Sequence, residues 1–168
     1  MASWEVKGID DFVNLCIFTE KQLDTVIGKS IHPGAKIMAD AVKKALMDLP
    51  VDDSYILLSR KYGHMRKSIT SRQKEGLIKS LGLAVIRKNR FGYNVKLGFD
   101  GYNDIVSEKY PKGQPNAMIA RSLNSGTSFM QKIPFMDSTV AAYEISTVEA
   151  IEKEFDKQLD KLWNRDKV

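Results

Sequence analysis

Apolar positions recur at helical spacing in two long stretches near the start of the chain. In residues 9–27, IDDFVNLCIFTEKQLDTVI, Ile9, Phe12, Val13, Cys16, Ile17, Leu23, Val26 and Ile27 fall largely on one face. Asp10 and Asp11 suit the first turn, where acids meet the positive end of the helix dipole, and Gly28 reads as a stop. A second helix is predicted over 33–48, with Pro33 in its first turn and Pro50 beyond its end. Its stripe is Ala35, Met38, Ala39, Val42, Leu46 and Leu49, and the alanines at 35, 39, 41 and 45 allow another element to approach closely.

Residues 51–76 show no clean period; SITSR within them has extended character. The strongest strand signal is 81–99, where LAVIRK and YNVKLGF flank NRFG, a hairpin turn. Val95, Leu97 and Phe99 alternate with Asn94, Lys96 and Gly98, which predicts one buried and one wet face. Turn residues dominate 100–115, and 116–124 reads as a short helix capped by Asn116. A long final helix is predicted over 137–163, capped by Asp137 or Ser138, with Ile145, Val148, Ile151, Phe155, Leu159 and Leu162 as its packing stripe.

Strands and helices do not alternate, which argues against a parallel, doubly wound sheet. The expectation is an α+β fold: a small antiparallel sheet, including a hairpin near 83–99, covered by helices and closed by a long C-terminal helix. Residues 1–32 read as an N-terminal helical arm and 33–168 as one α+β domain.

A chain of 168 residues with 43% hydrophobic content removes about two-thirds of its unfolded surface from water. No apolar run approaches the ~20 residues that span a bilayer, and the N-terminus lacks a signal-peptide pattern, so the protein is expected to be made in the cytoplasm, with no membrane partner. Cys16 is the single cysteine and sits in FVNLCIF, where it reads as a small buried hydrophobe. His32 and His64 stand outside any metal-ligand spacing, so no metal and no cofactor are expected.

Charge is unevenly distributed. Residues 57–96 hold 11 basic residues and one acid, Glu75, whereas 1–56 hold 6 basic and 9 acidic residues and 137–168 hold 5 and 8. A basic middle between acidic ends points to polyanion contact or to charge-complementary subunits. Arg60, Lys61, Arg66, Lys67, Arg87, Lys88 and Arg90 are the candidate DNA- or subunit-facing residues, with Tyr62, Phe91 and Tyr93 interleaved as possible stacking groups. The competing reading is a solvated sheet edge guarded by cations. No helix-turn-helix, zinc-finger or RNP pattern accompanies the charge, so sequence-specific reading is not expected.

The stretch LNSGTSFMQKIPFM, 123–136, lacks both the GxSxG of a nucleophile elbow and the GxxxxGK[ST] of a phosphate loop. Gly126 reads as a helix stop, followed by a polar bend through Thr127 and Ser128 and a re-entry at Pro134 and Phe135. The acids lie mostly on helix faces beside lysines, so no catalytic constellation emerges and the chain is not expected to be an enzyme. Tyr143 and Trp163 read as packing residues, and Trp4 as an anchor for a neighbouring subunit.

Three strings, AKIMADAVKKALMDLPV (35–51), GHMRKSI (63–69) and AMIARSLNSGTSFMQKIPFMDSTV (117–140), resemble in order and spacing the tail-completion or neck protein family of long-tailed bacteriophages, the gene-product-ten type of lambdoid phages. The resemblance covers about residues 33–160. It implies a structural virion protein, made in the bacterial cytoplasm and located in the particle's neck. There it would form a homo-oligomeric ring, a hexamer or dodecamer, joining the head connector or stopper to the tail tube or tail terminator. Viral DNA would pass through with only transient contact. Met65, Ser68, Ile69, Gly126, Thr127, Pro134 and Phe135 would be the motif and packing residues. Neck protein, tail terminator and cap of a headless tail-like particle stay open as subtypes. The alternative is a soluble protein that binds nucleic acid non-specifically through 57–96.

Overall fold

The computed structural model describes residues 9–53, 65–90 and 92–165, with side chains for those between 22 and 162. Trp4, Arg60, Lys61, Tyr62, His64 and Phe91, and the side chains of Cys16 and Trp163, lie outside the described residues.

The first element is one helix, α1 (Ile9–Asp48), and not two. The expected break at Gly28 is corrected: helix runs through Gly28 and Pro33, and across the 32/33 boundary of the expected arm. Pro33 removes one N–H from the ladder, yet tertiary packing overrides that local cost. Val26, Ser30, Gly34, Ala35, Ala41, Val42 and Leu46 are all buried, and their spacing continues one stripe straight through the proline. The Ser30 hydroxyl donates to the Val26 carbonyl at 2.7 Å, so its burial leaves no polar atom unmet.

The partner for that stripe is the last helix, α4 (Phe135–Arg165). A Cβ on Gly34 would lie 2.5 Å from Ile151 Cγ1 and 2.8 Å from the Thr147 carbonyl oxygen, so only glycine permits this approach. The two helices run antiparallel. Gly34 faces Thr147 and Ile151, Lys29 and His32 lie beside Glu154 and Gln158, and Val42 and Leu46 share a cluster with Phe135.

Between them lie α2 (Ser71–Ser80), α3 (Asn116–Ser125) and four three-residue strands: β1 (Leu81–Leu83), β2 (Arg87–Asn89), β3 (Gly92–Asn94) and β4 (Leu97–Phe99). Helix α2 was not expected. Its signal is a capping box: the Gln73 N–H donates to Thr70 Oγ1 at 3.2 Å, and Gln73 Oε1 accepts from the Thr70 N–H at 3.1 Å. SITSR is therefore extended only to Thr70, and helix starts at Ser71. Helix α3 takes Pro115 and not Asn116 as its cap. Asn116 is already helical, and its Nδ2 donates to the Asp100 carbonyl at 3.0 Å.

The strands form one bent hairpin. Leu81, Gly82 and Leu83 pair antiparallel with Phe99, Gly98 and Leu97; further out, Arg87, Lys88 and Asn89 pair with Asn94, Tyr93 and Gly92. Three residues, 84–86, face two, 95–96, so the register slips by one and a bulge divides the hairpin into two small ladders. The chain is α+β: the described residues form four helices, the last of them the long C-terminal one, and two two-stranded antiparallel ladders.

The core gathers at one end of the helix pair. Val42 and Leu46 of α1, and Leu49 just past its end, meet Ile69, Leu77 of α2, Ile119, Ala120 and Leu123 of α3, Met130, and Phe135 of α4. The inner half of the hairpin joins through Leu81, Leu97 and Phe99, whose ring lies 6.3 Å from that of Phe135 at 59°.

Candidate subunit and polyanion interface

The three strings that carry the family resemblance meet in space. The Ser68 hydroxyl donates to the Pro50 carbonyl, and Asp52 N–H donates to the Ile69 carbonyl at 2.9 Å, with Val51 and Ile69 paired in parallel. Arg66 N–H donates to the Phe129 carbonyl and Gln131 N–H to the Arg66 carbonyl, both at 2.8 Å. Residues 66–69 thus tie the end of α1 to the α3–α4 connection. Lys74, from α2, closes the α1 terminus by donating to the Met47 and Leu49 carbonyls, each at 2.7 Å. At the start of α2, Asp53 accepts from the Ser71 hydroxyl and N–H, which together hold its carboxyl below its ordinary value.

In the α3–α4 connection, Gly126 ends α3 at φ +74°, a left-handed region that favours glycine. Thr127 and Met130 exchange backbone bonds across a tight turn, Thr127 N–H to Met130 O at 2.9 Å and the reverse at 3.3 Å. Helix α4 begins at Phe135, two residues earlier than expected, and neither Asp137 nor Ser138 caps it. Asn124 Oδ1 takes that part, accepting from the N–H groups of Met136 at 3.0 Å and Asp137 at 3.3 Å. Pro134 is half-buried and Phe135 buried, while Phe129 and Met65 are exposed.

The basic candidates divide. Arg66 is half-buried and donates to Gln73 Oε1 at 3.0 Å, so it holds the fold. Lys67 is exposed. Lys88 Nζ sits 2.9 Å from Asp24 Oδ1 and 5.6 Å over the Tyr93 ring, and the Tyr93 hydroxyl donates to the same carboxylate. This latch fastens the outer hairpin to α1. The Tyr93 hydrogen bond, then Lys88, holds the Asp24 carboxyl below its ordinary value; the Asp24 carboxylate in turn raises the Lys88 ammonium. Arg87 and Arg90 are exposed, and Arg87, Lys96 and Val85 line an open groove of about 730 Å³ on the hairpin. Residues 84–99 contain four basic residues and no acid.

The stripe expected to pack α4 is only half used. Ile151, Phe155, Leu159 and Leu162 are partly buried, but Ile145 is 74% and Val148 46% exposed. Tyr143, expected to pack, is also exposed. The reason is alignment: α1 meets α4 along Thr147, Ile151, Glu154 and Gln158, whereas Val148 points roughly a quarter turn and Ile145 more than a third of a turn away.

A cavity of about 360 Å³ beside α2 is lined by the Arg72–Asp104 pair (2.6 Å), the Lys79–Glu75 pair (2.6 Å) and the buried Asn103 and Asn116. Asn103 Nδ2 and Asn116 Oδ1 have no hydrogen-bond partner there, while Asn103 Oδ1 accepts from the N–H groups of Ile105 and Gln114. Gly113 closes over Asn103 at φ +93°, where a Cβ would lie 1.8 Å from the Asn103 carbonyl oxygen. Among the described residues, no group of three or more His, Cys, Asp or Glu side chains is placed to hold a metal ion, and no helix is long and apolar enough to cross a membrane.

Tyr93, expected as a possible stacking group, instead donates to Asp24; that latch, the Asn124 cap, the Lys74 cap and the α2 capping box are not anticipated from the sequence. Only the last has a local signature, Thr-x-x-Gln at 70–73. The protein is, by architecture, a helix-dominated α+β chain with an open basic hairpin and an open apolar helix face. No protein-family model, curated protein or solved structure matches the chain.

Proposed function

We propose that the chain is a structural subunit of a phage or prophage particle that assembles into a ring at the head–tail junction, linking head connector to tail and letting DNA pass, without catalysis. The supporting observation is that the three separated strings on which the resemblance rests pack on one another: Pro50 and Val51 against Ser68 and Ile69, and Arg66 against Met130. Strings that meet in one joint fit a fold-defining framework better than scattered coincidence. Ring assembly is tested by mass photometry and negative-stain imaging of the purified chain, and by co-expression with tail proteins. A chain that stays monomeric and never enters particles sinks the reading.

A second reading, non-specific nucleic-acid binding, is favoured by the acid-free hairpin with Arg87, Lys88, Arg90 and Lys96. The Asp24 latch already occupies Lys88, which weakens this reading. Titration with duplex DNA at two salt concentrations separates the two, since phosphate contacts give steep salt dependence. No binding at low salt removes it.

A further inference from the structure

The described surface carries two opposed features that nothing within one copy satisfies. On α4, Asp137, Ala141, Glu144, Ile145, Val148 and Glu152 recur at helical spacing on one exposed face. Residues 135–152 contain four acids and no basic residue. On the hairpin, Arg87 and Lys96 flank Val85, which is 81% exposed in the bulged segment. One face is apolar and acidic, the other apolar and basic.

A single copy cannot join them. The hairpin's outer half is held at Asp24, ten residues before Gly34, and Gly34 marks the level of Thr147 and Ile151. Ile145 lies further still from that latch, about 20 Å along the helix axis at ~1.5 Å per residue, and the open face of α4 is turned roughly a third of a turn away from Glu154 and Gln158, which lie beside Leu83 of the hairpin.

We propose, resting on the ring reading above, that the hairpin groove of one copy docks on the Glu144–Ile145–Val148–Glu152 face of α4 of the next. Val85 meets Ile145 and Val148, and Arg87 and Lys96 meet Glu144 and Glu152. The two surfaces differ, so the contact is heterologous: repeated head to tail it closes a ring where its rotation permits. Charge of opposite sign on the two patches fixes the register and rejects like-to-like pairing.

The test is the association state of the full chain, by sedimentation velocity and mass photometry at low salt, with circular dichroism confirming the fold of each variant. R87E/K96E and E144K/E152K are each expected to weaken association about tenfold or more, and combining all four in one chain restores it. Rescue cannot arise from misfolding. If the wild-type chain forms rings indifferent to either reversal, the contact is overturned and the ring reading stands. If it forms only a closed dimer that the reversals break and the four-fold swap restores, the contact stands and the ring reading falls. A wild-type chain that remains monomeric overturns both and leaves the α4 face to a partner of different sequence.

Discussion

The two ends of the α1–α4 pair are held by different forces. Around Val42, Leu46, Leu123 and Phe135, side chains from every helix and from the inner hairpin are buried together, and the local hydrogen bonds join elements distant in sequence. At the other end, α1 and α4 meet along a narrow seam around Gly34, and a carboxylate shared between Lys88 and Tyr93 ties the outer hairpin to α1. Burial scales with apolar area and carries no charge for protons to titrate or ions to screen, whereas a half-exposed ionic latch responds to both. One end is therefore built to persist, and the other leaves surfaces open that a neighbour can use.

The largest expected effect lies in the first region. Phe135→Ala removes a ring from a closed cluster and should cost about 3–5 kcal/mol in chemical denaturation at fixed protein concentration. A loss under about 1 kcal/mol would mean that the two ends do not differ in this way.

Next comes the seam. Gly34→Ala places a methyl group against the Thr147 carbonyl, which is backbone and cannot step aside, so the helices must separate. A loss of about 1–3 kcal/mol is expected, and the same substitution at Gly28, where a Cβ meets nothing within 4 Å, should be neutral or slightly stabilising. Equal effects at the two glycines would break the seam assignment. Thr70→Ala deletes one side of the α2 capping box and should cost about 1 kcal/mol.

The latch gives a pH-dependent test. The Asp24 carboxyl is held below its ordinary 3.8, so its contribution is complete above that value and is lost as the pH falls through the lowered one. Hydrogen exchange of the 87–94 amides, corrected for intrinsic rates, should show the outer ladder opening before the core does as the pH falls below 3.8 and through the lowered value. Asp24→Asn should make that ladder open at neutral pH and abolish the dependence. The smallest effect is expected at Ile145→Ser, within about 0.5 kcal/mol for the isolated subunit, with association weakened. A large loss of subunit stability there would place Ile145 in the fold after all.

Much of the fold is legible without coordinates. The helical periods, the NRFG hairpin turn and the Gly126 stop each rest on local chemistry, and each appears where the pattern puts it. The errors share a cause. Gly28 and Pro33 weaken a helix locally, but a straight stripe from Val26 to Leu46 finds α4 alongside and the helix continues. Ile145 and Val148 share the period of Ile151 and Phe155, and period alone cannot say where the partner helix lies. Of the candidate interface, the clustering of cations is plain in the sequence, whereas Asp24, some 64 residues from Lys88, is invisible there as its partner.

Composition and periodicity by themselves determined that this chain folds as α+β, where most of its helical segments run, where its hairpin turns and that its basic charge is concentrated in the middle. Only the tertiary structure decided which cations are tied down, which half of the last helix stays open, and that the first two helical segments are one. Period and propensity are properties of a few neighbouring residues, whereas burial and ion pairing depend on which distant element comes to lie alongside.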